Sequence, residues 1–256
     1  MCTSSSYHGS GSVNGYLIVA THRKSYLTAA QMLAESIHDY YPEGQVTLFT
    51  EDDWIQDDGN DAFDHIYGGM PNSIRSKLLA CSLVEDYDKV CYIDADCICQ
   101  HSDIKNVFDL TEKSDIVFTH VREYNAKCYW WDPKTTKHPH GGWYVWKNTP
   151  RMQNFFKEWY DNWLVIYENR LWRWDQYDPK FCKGWDQFPL CLMLDVNKDG
   201  DQWHRPDVKW HLIENPRWNW IQGYKPWKEN IDEKDIVINS YSSDKFKSEL
   251  DHENPR

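Results

Sequence analysis

Residues 90–96 read Val-Cys-Tyr-Ile-Asp-Ala-Asp, a short apolar run that ends in two carboxylates one residue apart. Such a run is typical of a strand that is buried on both faces. The carboxylates of Asp94 and Asp96 repel each other at the end of a buried strand unless a cation lies between them. Hard oxygen ligands suit Mg²⁺ or Mn²⁺, and these ions also bind phosphate groups. The pair is therefore either a metal site or an ordinary acidic surface turn.

Strand and helix patterns alternate on the N-terminal side of this segment. Residues 16–20 and 45–50 are two further strand-like runs, and between them apolar positions recur at helical spacing from about 25 to 41. The alternation predicts a mostly parallel α/β sheet, and ligands of such sheets bind beyond the carboxyl ends of the strands. Thr21, the loop that begins at Glu51, and the two aspartates follow three of those ends, so we expect them to lie close together.

The second half of the chain is less regular. Residues 115–121, 142–147 and 235–239 predict strands, a long helix opens at Pro150, and a short helix covers 186–195. We expect a Ser/Gly-rich flexible leader over 1–14, one folded domain over 15–246, and a polar tail over 247–256.

Composition excludes several functional classes. The 28 Lys and Arg residues against 40 Asp and Glu give a net charge of −12, which disfavours binding to nucleic acid or anionic membranes. No apolar stretch approaches the ~20 residues that span a bilayer, and no signal-peptide pattern opens the sequence. The eight cysteines lack C-x-x-C spacing, which predicts reduced thiols. We therefore expect a soluble cytoplasmic protein.

The 15 tryptophans indicate either a sugar-binding protein or a large aromatic core. Indole rings stack on the C–H faces of sugars and also carry a polar N–H group that needs a partner when it is buried. We expect at least two of six rings to be partly exposed and to stack on an acceptor: Trp130, Trp131, Trp143, Trp172, Trp174 and Trp185.

Three other groups of residues are candidates for binding or catalysis. Arg75 and Lys77 lie near a helix start, where they form either an anion site or ordinary solvated charge. His140 precedes Gly141-Gly142, a glycine pair that allows close approach of a ligand or forms a simple turn. Asp186-Gln187 at a helix start either caps that helix or faces a substrate.

Taken in order, these segments resemble the metal-dependent glycosyltransferases of the GT-A fold, and most closely glycosyltransferase family 8, which includes glycogenin and bacterial lipopolysaccharide galactosyltransferases. The resemblance covers about residues 15–246. Its most specific part is Ile74-Arg-Ser-Lys-Leu followed by Tyr87-Asp-Lys-Val-Cys-Tyr-Ile-Asp-Ala-Asp96. Residues 141–150, the Asp186-Gln187 pair and Arg217-Trp-Asn-Trp220 are similar to further segments of that family.

The resemblance implies a single Rossmann-like mixed sheet flanked by helices, and transfer of a hexose from a UDP-sugar with retention of configuration. It implies that Asp94 and Asp96 bind Mn²⁺ or Mg²⁺ and that Asp186 and Gln187 lie beside the anomeric carbon as catalytic residues. It assigns the nucleotide sugar to nine positions: Ala20, Thr21, Glu51, Asp52, Arg75, Ala95, His140, Gly141 and Lys245.

One signature departs from the family pattern. The family's H-x-x-G-x-x-K motif, whose His is a third metal ligand, reads Asn239-x-x-Ser242-x-x-Lys245 here. An Asn carbonyl oxygen can still bind a hard cation, so we expect Asn239 to complete the metal shell more weakly than His.

Two alternative functions stay open at this point. A nucleotidyltransferase acting on a sugar phosphate also uses paired aspartates, although Thr21-His-Arg-Lys24 stands where such an enzyme has a Gly-rich loop. A non-catalytic carbohydrate-binding protein fits the tryptophans but not the helices. For the acceptor, we expect a saccharide or glycoconjugate in preference to a modified nucleobase in DNA or RNA.

Overall fold

The computed structural model describes residues 13–55, 60–120, 139–168, 186–194, 207–213, 216–221 and 231–241. Seven strands form a central mixed sheet: β1 (Asn14–Ala20), β2 (Gln45–Thr50), β3 (His65–Tyr67), β4 (Lys89–Ile93), β6 (Ile116–His120), β7 (Pro139–Lys147) and β8 (Trp210–Ile213). A small second sheet contains β5 (Cys97–Cys99), β9 (Trp220–Ile221) and β10 (Ile238–Ser240). The described α-helices are α1 (Lys24–Tyr40), α2 (Ser76–Leu83), α3 (Pro150–Glu168) and α4 (Gln187–Leu194), and a 3-10 helix covers Ser102–Thr111.

The central sheet has the strand order β3-β2-β1-β4-β7-β6-β8. Strand β1 pairs in parallel with both β2 and β4, whereas β7 runs antiparallel to β4 and β6. The parallel half and the mixed character of the sheet are confirmed. The order reverses at β1, which makes the carboxyl ends of β1 and β4 the topological switch point where ligands of such sheets bind.

Helices cover both faces of the sheet. Tyr16 and Ile18 of β1 belong to the core cluster that contains the apolar face of α1, and Leu17 and Val19 belong to the cluster that contains α2, α3 and α4. Side chains of a strand point alternately to its two faces, so a continuous apolar run is what a strand between two helical layers requires. The run at residues 16–20 therefore becomes an inner strand of the sheet, between β2 and β4.

Two element boundaries differ from the sequence prediction. Strand β7 begins at Pro139 rather than Gly142, because it continues to pair with β6 through an irregular register near His120. The last strand begins only at Ile238, because a 3-10 turn over Glu233–Asp235 precedes it. The Asp232 side chain accepts a hydrogen bond from the Lys234 N–H and so caps that turn.

Aromatic residues build much of the core. Trp143, Trp146 and Trp159 are fully buried, and the ring of Tyr144 contacts those of Trp146 and Trp159. Trp143 is thus a core residue and does not stack on a ligand; the other five rings named above lie outside the described residues. The indole nitrogens of Trp143 and Trp146 are buried without a hydrogen-bond partner among the described residues. The packing of these rings in the core therefore outweighs the free-energy cost of burying two N–H groups without hydrogen bonds to the described residues.

The described cysteines are free and buried, in agreement with the expected reduced thiols: Cys81, Cys91, Cys97, Cys99 and Cys191. None of the described helices combines the length and the apolar composition needed to cross a bilayer.

Candidate active site

A pocket opens at the carboxyl ends of β1 and β4, between the turn that follows β1 and the start of α2. Ten side chains line it: Val19, Thr21, Tyr26, Ile74, Arg75, Lys77, Tyr92, Asp94, Ala95 and Asp96. The structure therefore brings together the two aspartates and Thr21, as the topology predicts, and it places Arg75 beside them.

Hydrogen bonds fasten the loops beside the pocket. His22 has φ = 76°, a left-handed conformation that a non-glycine residue adopts only when its surroundings enforce it. Its N–H donates to Glu51 Oε1 at 2.6 Å, and its Nδ1 lies 3.0 Å from Asn72 Oδ1. Asn72 also donates to Glu51 Oε2 at 3.2 Å, and Thr21 Oγ1 donates to the Ser73 carbonyl at 2.7 Å. Glu51 thus uses both carboxylate oxygens to join the ends of β1 and β2 to the segment before α2.

The other two nucleoside-binding candidates have structural roles near this network. Ala20 is fully buried, and its carbonyl accepts a hydrogen bond from Thr50 Oγ1. Asp52 opens the 3-10 helix Asp52–Trp54 directly after β2. Of the residues predicted to hold the nucleoside, Thr21 is the one that lines the pocket.

Asp94 is the first charged group after β4. Its Oδ1 accepts a hydrogen bond from Tyr92 Oη at 2.6 Å and lies 3.2 Å from Lys77 Nζ. Burial raises the pKa of Tyr92 well above its usual value, and the Asp94 charge raises it further. Tyr92 therefore remains a proton donor to this carboxylate at neutral pH. Asp96 lines the same pocket two residues later.

Lys77 is a buried cation between two carboxylates. Its ammonium lies 3.2 Å from Asp94 Oδ1 and 3.1 Å from Asp186 Oδ2, and it donates to the Gly141 carbonyl at 2.6 Å. Burial alone would lower the pKa of Lys77, but the charges of Asp186 and Asp94 outweigh that effect and raise it. The ammonium therefore stays charged and links the end of β4 to the start of α4.

Asp186 lies just before α4 and is also buried. Burial alone would raise its pKa, but Arg75, with Nη1 3.4 Å from Oδ1, and Lys77 hold the pKa below its usual value. The Asp186 carbonyl accepts a hydrogen bond from Trp159 Nε1 of α3 at 2.7 Å. Gln187 is also buried, and its Nε2 donates to the Pro139 carbonyl at 3.3 Å. The Asp186-Gln187 pair is thus fixed against the start of β7.

The glycine pair of β7 makes room for these carboxylates. A Cβ atom on Gly142 would lie 2.6 Å from Asp94 Oδ2 and 2.6 Å from His140 Cε1, and one on Gly141 would lie 2.9 Å from Asp186 Oδ2. Real Cβ atoms essentially never approach other atoms so closely. The two glycines therefore allow the backbone of β7 to pack directly against both aspartates.

Asn239 of β10 is buried, with 7% of its surface exposed. Its Nδ2 lies 3.4 Å from Gln100 Oε1 and 3.5 Å from Tyr241 Oη. Its Oδ1 is buried without a hydrogen-bond partner among the described residues. A buried carbonyl oxygen of this kind costs free energy unless something binds it.

Strand pairing places Asn239 on the same face of the small sheet as Asp96. Asn239 pairs with Ile98 of β5, and the Tyr241 N–H donates to the Asp96 carbonyl at 2.9 Å. Side chains two residues apart share a face of a strand, while Cys97 and Cys99 of β5 point into the core. In the described part of the chain, no group of three or more His, Cys, Asp or Glu side chains is arranged to hold a metal ion. A metal at this end of the sheet would thus depend on Asp94, Asp96 and an amide oxygen.

Sequence reasoning missed what three of the residues at this site contact. It assigned Lys77 to an anion site or to solvated charge, and Tyr92 only to a buried strand, whereas both bind Asp94 Oδ1. Asn219, inside the Arg217-Trp-Asn-Trp220 segment, bonds to His140 through its Nδ2 at 2.9 Å. The signals for Asn219 were a polar residue between two tryptophans and the similarity of this segment to one in the resembling family. Lys245 lies outside the described residues.

No protein-family model matches the chain, and no curated protein matches it in sequence. Several solved structures are similar to the chain in fold. The galactosyltransferase LgtC, in complex with donor and acceptor sugar analogues, is 11% identical with a TM-score of 0.52, over 94% of this chain and 96% of that one. The glycosyltransferase GlyE of Streptococcus pneumoniae TIGR4 is 13% identical with a TM-score of 0.56, over 90% of this chain and 54% of that one. A glycosyltransferase involved in the glycosylation of the major capsid of PBCV-1 is 10% identical with a TM-score of 0.51, over 94% and 99%. These similarities show that the chain has the GT-A fold.

Proposed function

We propose that this protein is a glycosyltransferase that moves a hexose from a nucleotide sugar, with UDP-hexose as the donor class, to a saccharide or glycoconjugate acceptor. The observation that carries the proposal is one pocket at the switch point of the sheet. It contains Asp94 and Asp96 beside two cations, Arg75 and Lys77. Acidic ligands for a metal and basic groups for a diphosphate are what a nucleotide-sugar site needs, and the fold is shared with enzymes that bind donor sugars.

The oxygen ligands at this site fit a hard divalent cation, Mn²⁺ or Mg²⁺. Asp94 and Asp96 line the pocket, and Asn239 holds a buried carbonyl oxygen without a partner among the described residues. Carboxylate and amide oxygens are the ligands that such ions prefer. These three residues would hold the metal, which would supply Lewis-acid stabilisation of the departing diphosphate. Tyr92 and Lys77 orient Asp94 by binding Oδ1, on the other side of the carboxylate from the oxygen that packs against Gly142.

Arg75 and Lys245 would stabilise the leaving group, the nucleoside diphosphate. Breaking the bond between the anomeric carbon and the phosphate oxygen leaves negative charge on the nucleoside diphosphate. Arg75 lines the pocket and is held by Asp186, so its guanidinium is already oriented before a substrate binds. Lys245, which follows Asn239 at the spacing of the family signature, would add a further positive charge. Fixed charges of this kind stabilise developing charge without reorganising during the reaction.

The transferred sugar would lie against β7 and the start of α4. His140 and Gly141 would face its hydroxyl groups, and Ala95 would pack beside the diphosphate. Asp186 is ionised because Arg75 and Lys77 lower its pKa, and Gln187 lies next to it. An anion and an amide oxygen beside the anomeric carbon would stabilise its oxocarbenium character. Thr21, with the loops that Glu51 and Asp52 shape, would hold the nucleoside. Retention of configuration is the outcome that the family resemblance implies.

The proposal is tested by a thermal-shift screen of nucleotide sugars, nucleoside triphosphates and sugar phosphates in Mn²⁺ and in Mg²⁺. A ligand at 100 times its Kd stabilises the folded state by about 2.7 kcal/mol, which the melting temperature reports. We expect UDP-hexoses to raise the melting temperature in the presence of metal. Stabilisation by nucleoside triphosphates and sugar phosphates, without an effect of any nucleotide sugar, would indicate a nucleotidyltransferase and overturn the proposal.

A further inference from the structure

The turn that follows β1 is a strained γ-turn centred on His22. The Arg23 N–H donates to the Thr21 carbonyl at 2.9 Å, so the hydrogen bond spans only three residues, and the φ of His22 between them is 76°. A γ-turn with a positive φ is rare because it strains the backbone. His22 is the one non-glycine residue with a positive φ in the described part of the chain. Such strain persists only where the surrounding structure enforces it, and it is frequent at ligand sites.

Two hydrogen bonds hold His22 in this conformation, and both depend on Glu51. Glu51 Oε1 accepts a hydrogen bond from the His22 N–H at 2.6 Å, and Oε2 accepts one from Asn72 Nδ2 at 3.2 Å. An ionised carboxylate only accepts, so Asn72 must turn its NH₂ group to Glu51 and its Oδ1 to His22. His22 Nδ1 lies 3.0 Å from that oxygen and must therefore carry a proton, which it donates. Glu51 thus sets the orientation of Asn72, and the two residues together hold His22.

The segments that Glu51 joins form two walls of the pocket. Thr21 lines the pocket from the strained turn, and Ile74 and Arg75 line it from the segment before α2. Thr21 Oγ1 donates to the Ser73 carbonyl at 2.7 Å, which is a second link between the same two walls. Glu51 itself does not line the pocket. Its effect on a bound ligand would therefore pass through the residues that it holds.

We infer that Glu51 is a positioning residue for the donor: it keeps the strained turn at His22 in place and so keeps Thr21 at the wall of the pocket. The inference rests on the proposed function for the identity of the ligand, a nucleoside diphosphate or its sugar conjugate. It differs from direct contact between Glu51 and the nucleoside, which the family resemblance implies. Without Glu51 the turn would relax, and only a fraction of the molecules would present Thr21 as the bound state requires. The apparent Kd rises in inverse proportion to that fraction.

The test is calorimetric titration of UDP into the full chain in Mn²⁺. Glu51→Ala should raise the Kd of UDP about tenfold, the factor that corresponds to a strain of about 1.4 kcal/mol. Loss of a negative charge near the pocket would by itself favour an anionic ligand, so the direction of this change is diagnostic. The control is Glu35→Ala, which removes an exposed carboxylate from α1 and should leave the Kd unchanged. A wild-type Kd for Glu51→Ala would overturn the inference and leave the proposed function standing.

Donor turnover shows whether Glu51 acts on binding alone. In UDP release from UDP-glucose, Glu51→Ala should raise the KM for the donor, while kcat at saturating donor stays close to the wild-type value. The reason is that a bound donor selects the molecules in which the turn is formed. A fall in kcat with an unchanged KM would overturn the inference.

Two double variants separate positioning from direct contact. Glu51→Ala combined with His22→Gly should restore the Kd of UDP to within about threefold of the wild type, because glycine adopts a positive φ without strain. Glu51→Ala combined with His22→Ala removes the same imidazole ring but keeps a Cβ, so its Kd should stay about tenfold raised. Equal Kd values for the two double variants would overturn the inference, and an equal loss in both would indicate direct contact by Glu51.

Urea unfolding without a ligand tests the strained turn independently of the proposed function. As single variants, His22→Gly should unfold at a higher urea concentration than His22→Ala, which reverses the order that these residues give at an unstrained position. An equal or lower midpoint for His22→Gly would overturn the inference. Failure of UDP and of every nucleotide sugar to bind the wild type would overturn the proposed function and the donor-binding role of Glu51 together, and the order of the two midpoints would still decide whether the turn is strained.

Discussion

Replacing Lys77 with Met tests whether the buried cation holds the site together. Met is close to Lys in length and is also a good helix former, so α2 should keep its conformation. The substitution removes the ammonium that lies within 3.2 Å of Asp94 and Asp186 and donates to the Gly141 carbonyl at 2.6 Å. Asp186 then remains as a buried carboxylate with Arg75 at 3.4 Å as its one charged partner among the described residues.

The expected loss of stability follows from the burial of the pair. Removing one partner of a buried ion pair costs ~3–5 kcal/mol, because the other charge stays desolvated. Arg75 offsets part of this cost, so we expect about 3 kcal/mol. For a chain of this size that corresponds to a drop of roughly 6–12 °C in melting temperature.

Urea unfolding at pH 7 measures this loss, with Lys157→Met as the matched control. Lys157 pairs with Asp161 on the exposed side of α3 at 2.7 Å, with side chains 64% and 53% exposed. A surface pair of this kind contributes only about 0.3–0.5 kcal/mol. If Lys77→Met loses no more stability than Lys157→Met, the ammonium is not buried between two carboxylates and the geometry of the site is wrong.

Three further substitutions probe the same pocket. Asp96→Ala should abolish transfer while its circular dichroism spectrum and melting temperature stay near those of the wild type. The control variant, the exposed Asp161→Ala, should keep full activity. Near-normal activity of Asp96→Ala in saturating Mn²⁺ would refute the metal assignment. Asn239→His should raise the affinity for Mn²⁺ in calorimetric titration with UDP present, because imidazole is the stronger ligand; unchanged or weaker affinity would mean that Asn239 does not face the metal. Gly142→Ala should lose ~1–3 kcal/mol of stability and most activity, because its Cβ would press on Asp94 and His140; wild-type values in thermal unfolding and donor turnover would refute this packing.

The carboxyl ends of β1 and β4 could be predicted because the pattern that defines them is local. An apolar run followed by Asp94-Ala-Asp96 specifies both a buried strand and the charges at its end. The convergence of Thr21 and the aspartates then follows from the rule that parallel strands end at one edge of a sheet.

The buried state of Lys77 could not be predicted from local pattern. A lysine near a helix start is usually solvated, and this one is buried because Asp94, Gly141 and Asp186, all distant in sequence, pack against its ammonium. The small sheet was missed for a related reason, since strands as short as Cys97–Cys99 and Trp220–Ile221 show no periodicity of their own. Trp143 was misjudged because its ring packs in the core although its N–H has no partner among the described residues.

The most direct test of the account is the release of UDP from UDP-galactose and UDP-glucose by the purified protein in Mn²⁺ without an acceptor, measured beside Asp96→Ala. A glycosyltransferase slowly transfers the sugar to water, so we predict slow UDP release by the wild type and none by Asp96→Ala. Absence of UDP release from every nucleotide sugar, or equal release by Asp96→Ala, would contradict the assignment of this pocket to glycosyl transfer.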